Sequence, residues 1–246
     1  MIRLVRAEFT KLRTTRLIYG MAAVMAAFAL LTVAANILDR QGAPPLSADS
    51  LPTIVAAPVT LLSGAGLLLG ILGMAGEFRH QTVTQTFLVT PDRGRVVAAK
   101  LVAYPLAGIA LTLVILAFTA VVATGWLAAK GIMPSLADAR LGRVLLGAVL
   151  AAGLCGLLGV GVAALVRNQV AALVGVAVWV LLIEGLLMSL LNAPSLGKWL
   201  PSAAAAALTN PGGAGLSRLA GTLLLAGYAL VLALVGTRLV VRRDIT

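Results

Sequence analysis

One acidic residue, Glu184, lies well inside an apolar stretch that is long enough to cross a membrane. It follows Trp179-Val-Leu-Leu-Ile and precedes Gly-Leu-Leu. A carboxylate at membrane depth is costly to bury unless it is paired or protonated, so Glu184 is a candidate for a translocation or gating residue. The sequence is equally compatible with a helix that ends early, in which case Glu184 meets the outer headgroups and hydrogen-bonds the following loop.

The familiar catalytic motifs do not occur in these 246 residues. The sequence contains no G-x-x-x-x-G-K-[ST] phosphate loop, no H-E-x-x-H and no G-x-S-x-G. It has a single His, His80, and a single Cys, Cys155, which lies in an apolar run. We therefore expect no catalytic residues, no metal site, no cofactor bound by this chain and no enzymatic activity of its own.

The polar segment 77–100 is the most promising site for contact with a partner. Val83 and Phe87, with Phe78 nearby, form a short apolar ridge, and Glu77 and Arg79 flank it. The sequence Thr-Pro-Asp at 90–92 has the chemistry of a helix N-cap and first turn, so two short helices are expected here. The segment is interpreted as a docking surface for a cytoplasmic partner. The alternative is an amphipathic piece that lies on the membrane.

Composition identifies the setting in which these residues act. Apolar residues make up 61% of the sequence and charged residues 11%, far from the averages of water-soluble domains, about 45–50% and 25%. The chain is therefore predicted to be an integral membrane protein with no soluble nucleotide-hydrolysing domain. The excess of 19 Lys and Arg over 8 Asp and Glu is attributed to lipid headgroups and membrane topology, and nucleic-acid binding is disfavoured.

The sequence predicts an all-α polytopic membrane protein that forms a single domain over residues 1–246. Six apolar segments are long enough to span a bilayer. They cover residues 17–38, 54–76, 101–129, 144–166, 170–191 and 219–241. Apolar residues at spacings of three and four predict an interfacial amphipathic helix over residues 1–16. The alternative is a frayed basic tail that only sets topology. The broken apolar segment 192–218 is expected to form short re-entrant or interfacial helices.

Charge distribution predicts the orientation of these spans. With both termini in the cytoplasm, six of the 19 Lys and Arg fall outside, namely Arg40, Lys130, Arg140, Arg143, Lys198 and Arg218, and the other thirteen fall inside. The positive-inside rule therefore favours a multi-pass protein with cytoplasmic termini. The weak point is segment 131–143, whose two arginines lie outside close to the fourth span.

Small residues recur in two of the predicted spans. Gly66 and Gly70 form a G-x-x-x-G pair, and Gly153, Gly156 and Gly159 repeat at intervals of three. Such glycines allow helix backbones to approach closely in a membrane. Packing within one bundle is the favoured interpretation, and an interface between subunits is the alternative.

Two motifs resemble those of a known family. Residues 7–16 read Ala-Glu-Phe-Thr-Lys-Leu-Arg-Thr-Thr-Arg, which resembles the E-x-x-K-L-R-T-T-R opening of ABC-2 type transporter permeases of high-GC Gram-positive bacteria. The segment from Glu77 to Lys100 is similar to that family's E-x-R-x-x-T, P-x-R and K pattern. The chain departs from it at 80–82, where His-Gln-Thr replaces the more usual glycine before the threonine.

The resemblance implies the membrane subunit of an ATP-driven exporter in the bacterial plasma membrane. Such an exporter has two membrane halves, here a homodimer or a pair with a related permease, and two separate ATPase subunits that bind ATP and Mg. Segment 77–87 would contact the ATPase. Two other classes stay open: a proton- or ion-coupled secondary transporter, and a non-transporting membrane scaffold or immunity protein. The sequence does not indicate the transported substrate.

Overall fold

The chain folds into a helical bundle. A computed structural model describes residues 1–38, 45–79, 92–190, 197–209 and 215–242, and no strand occurs within these ranges. In chain order the helices are α1 (Ile2–Thr14), α2 (Arg16–Leu38), α3 (Leu51–Ala56), α4 (Val59–Arg79), α5 (Arg93–Ala129), α6 (Ala139–Val166), α7 (Gln169–Val178), α8 (Glu184–Leu190), α9 (Pro201–Thr209) and α10 (Arg218–Arg242). A 3-10 turn, Ala48–Ser50, precedes α3, and a π-helical turn, Trp179–Ile183, joins α7 to α8.

The prediction of six spans is confirmed at the level of helix length and composition. Six continuous helical stretches in the described ranges are long and apolar enough to cross a membrane. They are Arg16–Leu38, Ala48–Arg79, Arg93–Ala129, Ala139–Val166, Gln169–Leu187 and Arg218–Val241. The protein is therefore a multi-pass membrane protein.

Helix α6 is central to the bundle and makes its most extensive contact with α4. At this contact, a side chain at Gly66 would overlap the carbonyl oxygen of Ala152, and one at Gly70 would overlap that of Gly156. From the other side, a side chain at Gly159 would overlap the carbonyl of Leu67. The two backbones thus touch directly, which only glycine permits at these positions.

The remaining predicted packing glycine, Gly153, faces the side chain of Ile109 on α5. The structure therefore places all five in contacts between helices of one chain.

The peripheral helices bury one narrow stripe each. On α2, Met25, Ala29, Val33 and Ile37 are buried at intervals of four residues, which is one face of a helix. Most other apolar side chains of this helix are exposed, as expected where a helix surface meets lipid rather than water.

One end of the bundle carries α1, the end of α4 and the start of α5. With 37 residues, α5 is about 55 Å long at 1.5 Å per residue, well beyond a hydrocarbon core of about 30 Å. Its first turns therefore extend out of the core. The described ends of segment 77–100 are not short separate helices, because 77–79 continue α4 and 93–100 begin α5. The N-cap of α5 is Asp92, whose carboxylate accepts from the Arg95 amide, and not Thr90 as the sequence suggested.

The opposite end carries the connections that precede α3 and α6. Asp138 caps α6 by accepting from the Arg140 amide, and the Arg140 guanidinium lies 3.6 Å from the Asp49 carboxylate. The two segments that the charge count assigned to one side of the membrane thus share one end of the bundle. The arginines of segment 131–143 weaken the positive-inside charge count, and the carboxylates of Asp138 and Asp49 neutralise part of their charge.

Candidate functional site

Four ionisable residues from three helices meet at the end of the bundle that carries α1. Glu8 and Lys11 come from α1, Glu77 from the last turn of α4, and Lys100 from the third turn of α5. Glu8 and Lys100 are 92 residues apart in sequence yet form a buried ion pair. We call these four residues the ion cluster.

Lys100 is the centre of the ion cluster. Its ammonium group donates to Glu8 Oε2 at 2.8 Å, to Glu77 Oε1 at 2.9 Å and to the carbonyl of Gly73 at 3.1 Å. Its side chain is 1% exposed. A lysine ammonium has three donors, and here each has an acceptor, which is what allows a cation to be buried.

Lys11 bridges the two carboxylates of the ion cluster on its solvent-exposed side. Its ammonium group donates to Glu8 Oε1 at 2.9 Å and to Glu77 Oε1 at 2.7 Å, while its side chain stays about half exposed. Two carboxylates are thus balanced by two ammonium groups.

Tyr104 packs over Gly73 and contacts two residues of the ion cluster. The Tyr104 hydroxyl donates to Glu8 Oε2 at 3.0 Å, and its ring lies 5.5 Å from the Lys100 ammonium, within cation–π range. The ring occupies the space that a side chain at position 73 would need. Glycine at 73 therefore lets the tyrosine reach Glu8.

The electrostatics of α1 favour the charged forms of both its cluster residues. Burial would raise the pKa of Glu8, but the Lys100 and Lys11 ammonium groups outweigh it and hold that pKa below its usual value of 4.5. Burial would lower the pKa of Lys11, but hydrogen bonds to Glu77 and Glu8 raise it above 10.5. Glu8 and Lys11 therefore stay ionised at neutral pH.

The predicted coupling residues fall into three groups. Glu77 belongs to the ion cluster, Phe78 is half-buried against the core of the bundle, and Arg79 is exposed at the end of α4. Val83 and Phe87 lie outside the described residues, so their ridge stays a prediction.

Glu184 is buried, with 4% of its surface exposed, and it begins α8 rather than ending a span. Its amide bonds the carbonyl of Trp179 five residues back, the pattern of a π-helical turn. Its carboxylate accepts from the Trp179 indole at 2.8 Å and from the hydroxyl of Ser202 on α9. Both partners are neutral, and within the described ranges no cation pairs with it.

Sequence reasoning missed the pairing of Glu8 with Lys100 and the roles of Tyr104 and Gly73. The available signal was polarity, since Lys100 and Tyr104 lie at the start of an apolar span where a charge needs a partner. The two motifs that carry the family resemblance contain all four residues of the ion cluster, and the structure brings them together.

Among the described residues, no group of three or more His, Cys, Asp or Glu side chains could hold a metal ion. Comparison with protein-family models and with curated proteins finds no match.

Proposed function

We propose that this protein is the membrane-spanning permease subunit of an ATP-driven exporter and that it works with a separate ATPase subunit. One observation carries the proposal. The ion cluster joins an amphipathic helix to the two span ends that begin and end segment 77–100, the segment that the sequence predicts to be a docking surface.

A device that couples a cytoplasmic partner to a membrane path needs a stiff link between its docking segment and its spans. The link supported by the structure runs through Glu77 on α4 and Lys100 on α5, which hold the two helix ends at a fixed separation. Ion pairs that are buried and fully hydrogen-bonded are strongly geometry-dependent, so movement of one helix end is resisted by the other. A force on the intervening segment would then tilt both spans together.

The complete exporter would contain a second membrane half, a homodimer partner or a related permease, and two ATPase subunits that supply ATP and Mg. The protein would reside in the bacterial plasma membrane with both termini in the cytoplasm, so that the ion cluster lies on the inner side.

A proton- or ion-coupled secondary transporter is the second candidate, and the burial of Glu184 favours it. In that class the ionisation of Glu184 would drive transport and no ATPase would be needed. Glu184→Gln keeps the size of the side chain and removes the charge. Export lost in this variant while ATP hydrolysis persists in the purified complex would support a role of Glu184 within the exporter. Export that continues in cells depleted of ATP but with a proton gradient would support the second candidate.

The decisive test is purification of the tagged chain from its native host, with measurement of vanadate-sensitive ATP hydrolysis. We expect a subunit that carries a phosphate loop to co-purify, as identified by mass spectrometry. In Val83→Asp and Phe87→Asp variants, a charge in the apolar ridge should abolish co-purification and hydrolysis, because the groove of a partner cannot solvate it.

The matched control is Gln85→Asp, which adds the same charge to the opposite face of the predicted helix. It should retain the ATPase. If the ridge variants insert normally and still hold a stimulated ATPase, the segment is merely interfacial and the proposal is wrong.

A further inference from the structure

Helix α1 has a second face that the ion cluster does not use. Together with Val102 of α5 it forms an open groove of about 640 Å³, within the usual range of about 300–1,000 Å³ for small-molecule sites. Its apolar lining comes from Ile2, Val5, Phe9 and Val102. Ile2 is 85% exposed and Val102 45% exposed, so a large apolar surface is open.

Two arginines, Arg6 and Arg13, line the same groove. They are seven residues apart, which places them two turns apart on one side of α1, about 10.5 Å along its axis. Both are exposed, and within the described ranges neither forms an ion pair. Their long side chains can approach one anion from two directions.

Among the residues that the structure describes, no acidic side chain lines the groove. Glu8, on α1 itself, and Glu77, on α4, are both ion-paired with Lys11 and Lys100 in the ion cluster. The charge of the groove is therefore uniformly positive, and it complements an anion.

The level of the groove in the bundle indicates what the apolar lining meets. Val102 lies nine residues into α5, about 13.5 Å from the start of that helix, and is the second residue of the predicted span 101–129. An apolar floor at this level beside two guanidinium groups matches the boundary between lipid headgroups and acyl chains.

We propose that this groove binds a phospholipid with an anionic headgroup. The phosphate lies between Arg6 and Arg13, and an acyl chain covers Phe9 and Val102. Guanidinium groups suit this role because they form charge-assisted hydrogen bonds with phosphate oxygens. The proposal does not depend on the transport function.

The test is a lipid titration of the purified full chain in detergent, with bound lipid counted by native mass spectrometry. Dioleoyl phosphatidylglycerol should bind saturably, and dioleoyl phosphatidylcholine, with the same chains and no net charge, should not. Replacing both arginines, Arg6→Gln with Arg13→Gln, should weaken phosphatidylglycerol binding by about tenfold or more.

The matched control pair is Arg3→Gln with Arg16→Gln, which removes the same charge from the same region outside the groove. It should weaken binding much less than the groove pair does, because neither Arg3 nor Arg16 lines the groove. A Val102→Trp variant keeps both arginines and fills the floor, so its expected loss of lipid binding tests the groove even if the arginine pair fails to fold.

Three results would overturn the proposal. Equal loss in both arginine pairs would indicate non-specific attraction. Competition by soluble glycerol 3-phosphate at the lipid's own concentration would indicate an anion site that needs no acyl chain. A dimer whose formation excludes the lipid would assign the groove to a second copy of the chain.

Discussion

Lys100 is the residue on which the end of the bundle that carries α1 depends. It is almost fully buried, and its three hydrogen bonds join α1, α4 and α5. Buried ion pairs contribute little net stability compared with apolar packing, but removing one partner leaves an uncompensated charge. Replacing Lys100 alone should therefore cost more stability than replacing Lys100 together with one of its carboxylate partners.

Lys100→Met should therefore destabilise the protein by about 3 to 5 kcal/mol, measured as a lower midpoint of thermal or chemical unfolding in detergent. Lys11→Met is the matched control: its side chain is about half exposed, so a loss of about 1 kcal/mol or less is expected. Adding Glu8→Gln to Lys100→Met should recover part of the loss, because one unpaired carboxylate is removed. Equal effects of the two lysine variants would contradict this account.

The ion cluster also sets a pH range for stability. Because the folded pKa of Glu8 is below 4.5, its contribution is complete above that value and is lost as the pH falls through the lowered pKa. Because the folded pKa of Lys11 is above 10.5, its contribution is complete below 10.5 and is lost as the pH rises through the raised pKa.

The unfolding midpoint of the unchanged protein should therefore decline at acid pH below 4.5, and Glu8→Gln should show a flatter acid limb. Measuring both proteins across the same buffers checks this. If the unfolding midpoint of the variant falls just as steeply at acid pH, groups other than Glu8 control the acid sensitivity.

At the level of the helix, the contact between α4 and α6 can be tested by comparing two glycine-to-alanine variants of α4. Gly70→Ala would place a methyl group against the Gly156 carbonyl and 2.8 Å from the Val160 amide, so the backbones must separate. A loss of about 1 to 3 kcal/mol in unfolding free energy is expected.

The control, Gly64→Ala, is on the same helix and meets nothing within 4 Å, so it should be neutral or slightly stabilising through helix propensity. If Gly70→Ala is as well tolerated as this control, the close approach of the two backbones is wrong.

Periodicity and hydropathy predict helices well, because both are local properties of the chain. The six spans and the helix over residues 1–16 follow from them. The sequence could not place the start of α5, because Thr90 and Asp92 are both residue types that cap helices. The convergence of Glu8 with Lys100 was also beyond reach, since residues 92 apart meet only when three helices pack.

At the level of the whole molecule, topology can be tested with a membrane-impermeant thiol reagent in intact cells. Ser47→Cys should be labelled, and Thr90→Cys should be protected until the membrane is opened. The native Cys155 is buried, so background labelling should be low. Labelling at position 90 in intact cells would reverse the proposed orientation, and labelling at both positions would contradict the span arrangement.

The direct backbone contact between α4 and α6 makes this helix pair a useful reference for measuring movements of the other helices. No layer of flexible side chains separates the two helices at Gly66 or Gly159, so sliding one past the other would drive side chains into carbonyl groups. By contrast, only 11% of the apolar stretch of the Gln169–Leu187 span and 17% of that of α2 is buried. Spin labels on α4 and α6 should therefore keep a constant separation and act as an internal ruler, against which labels on α2 and α7 report displacement.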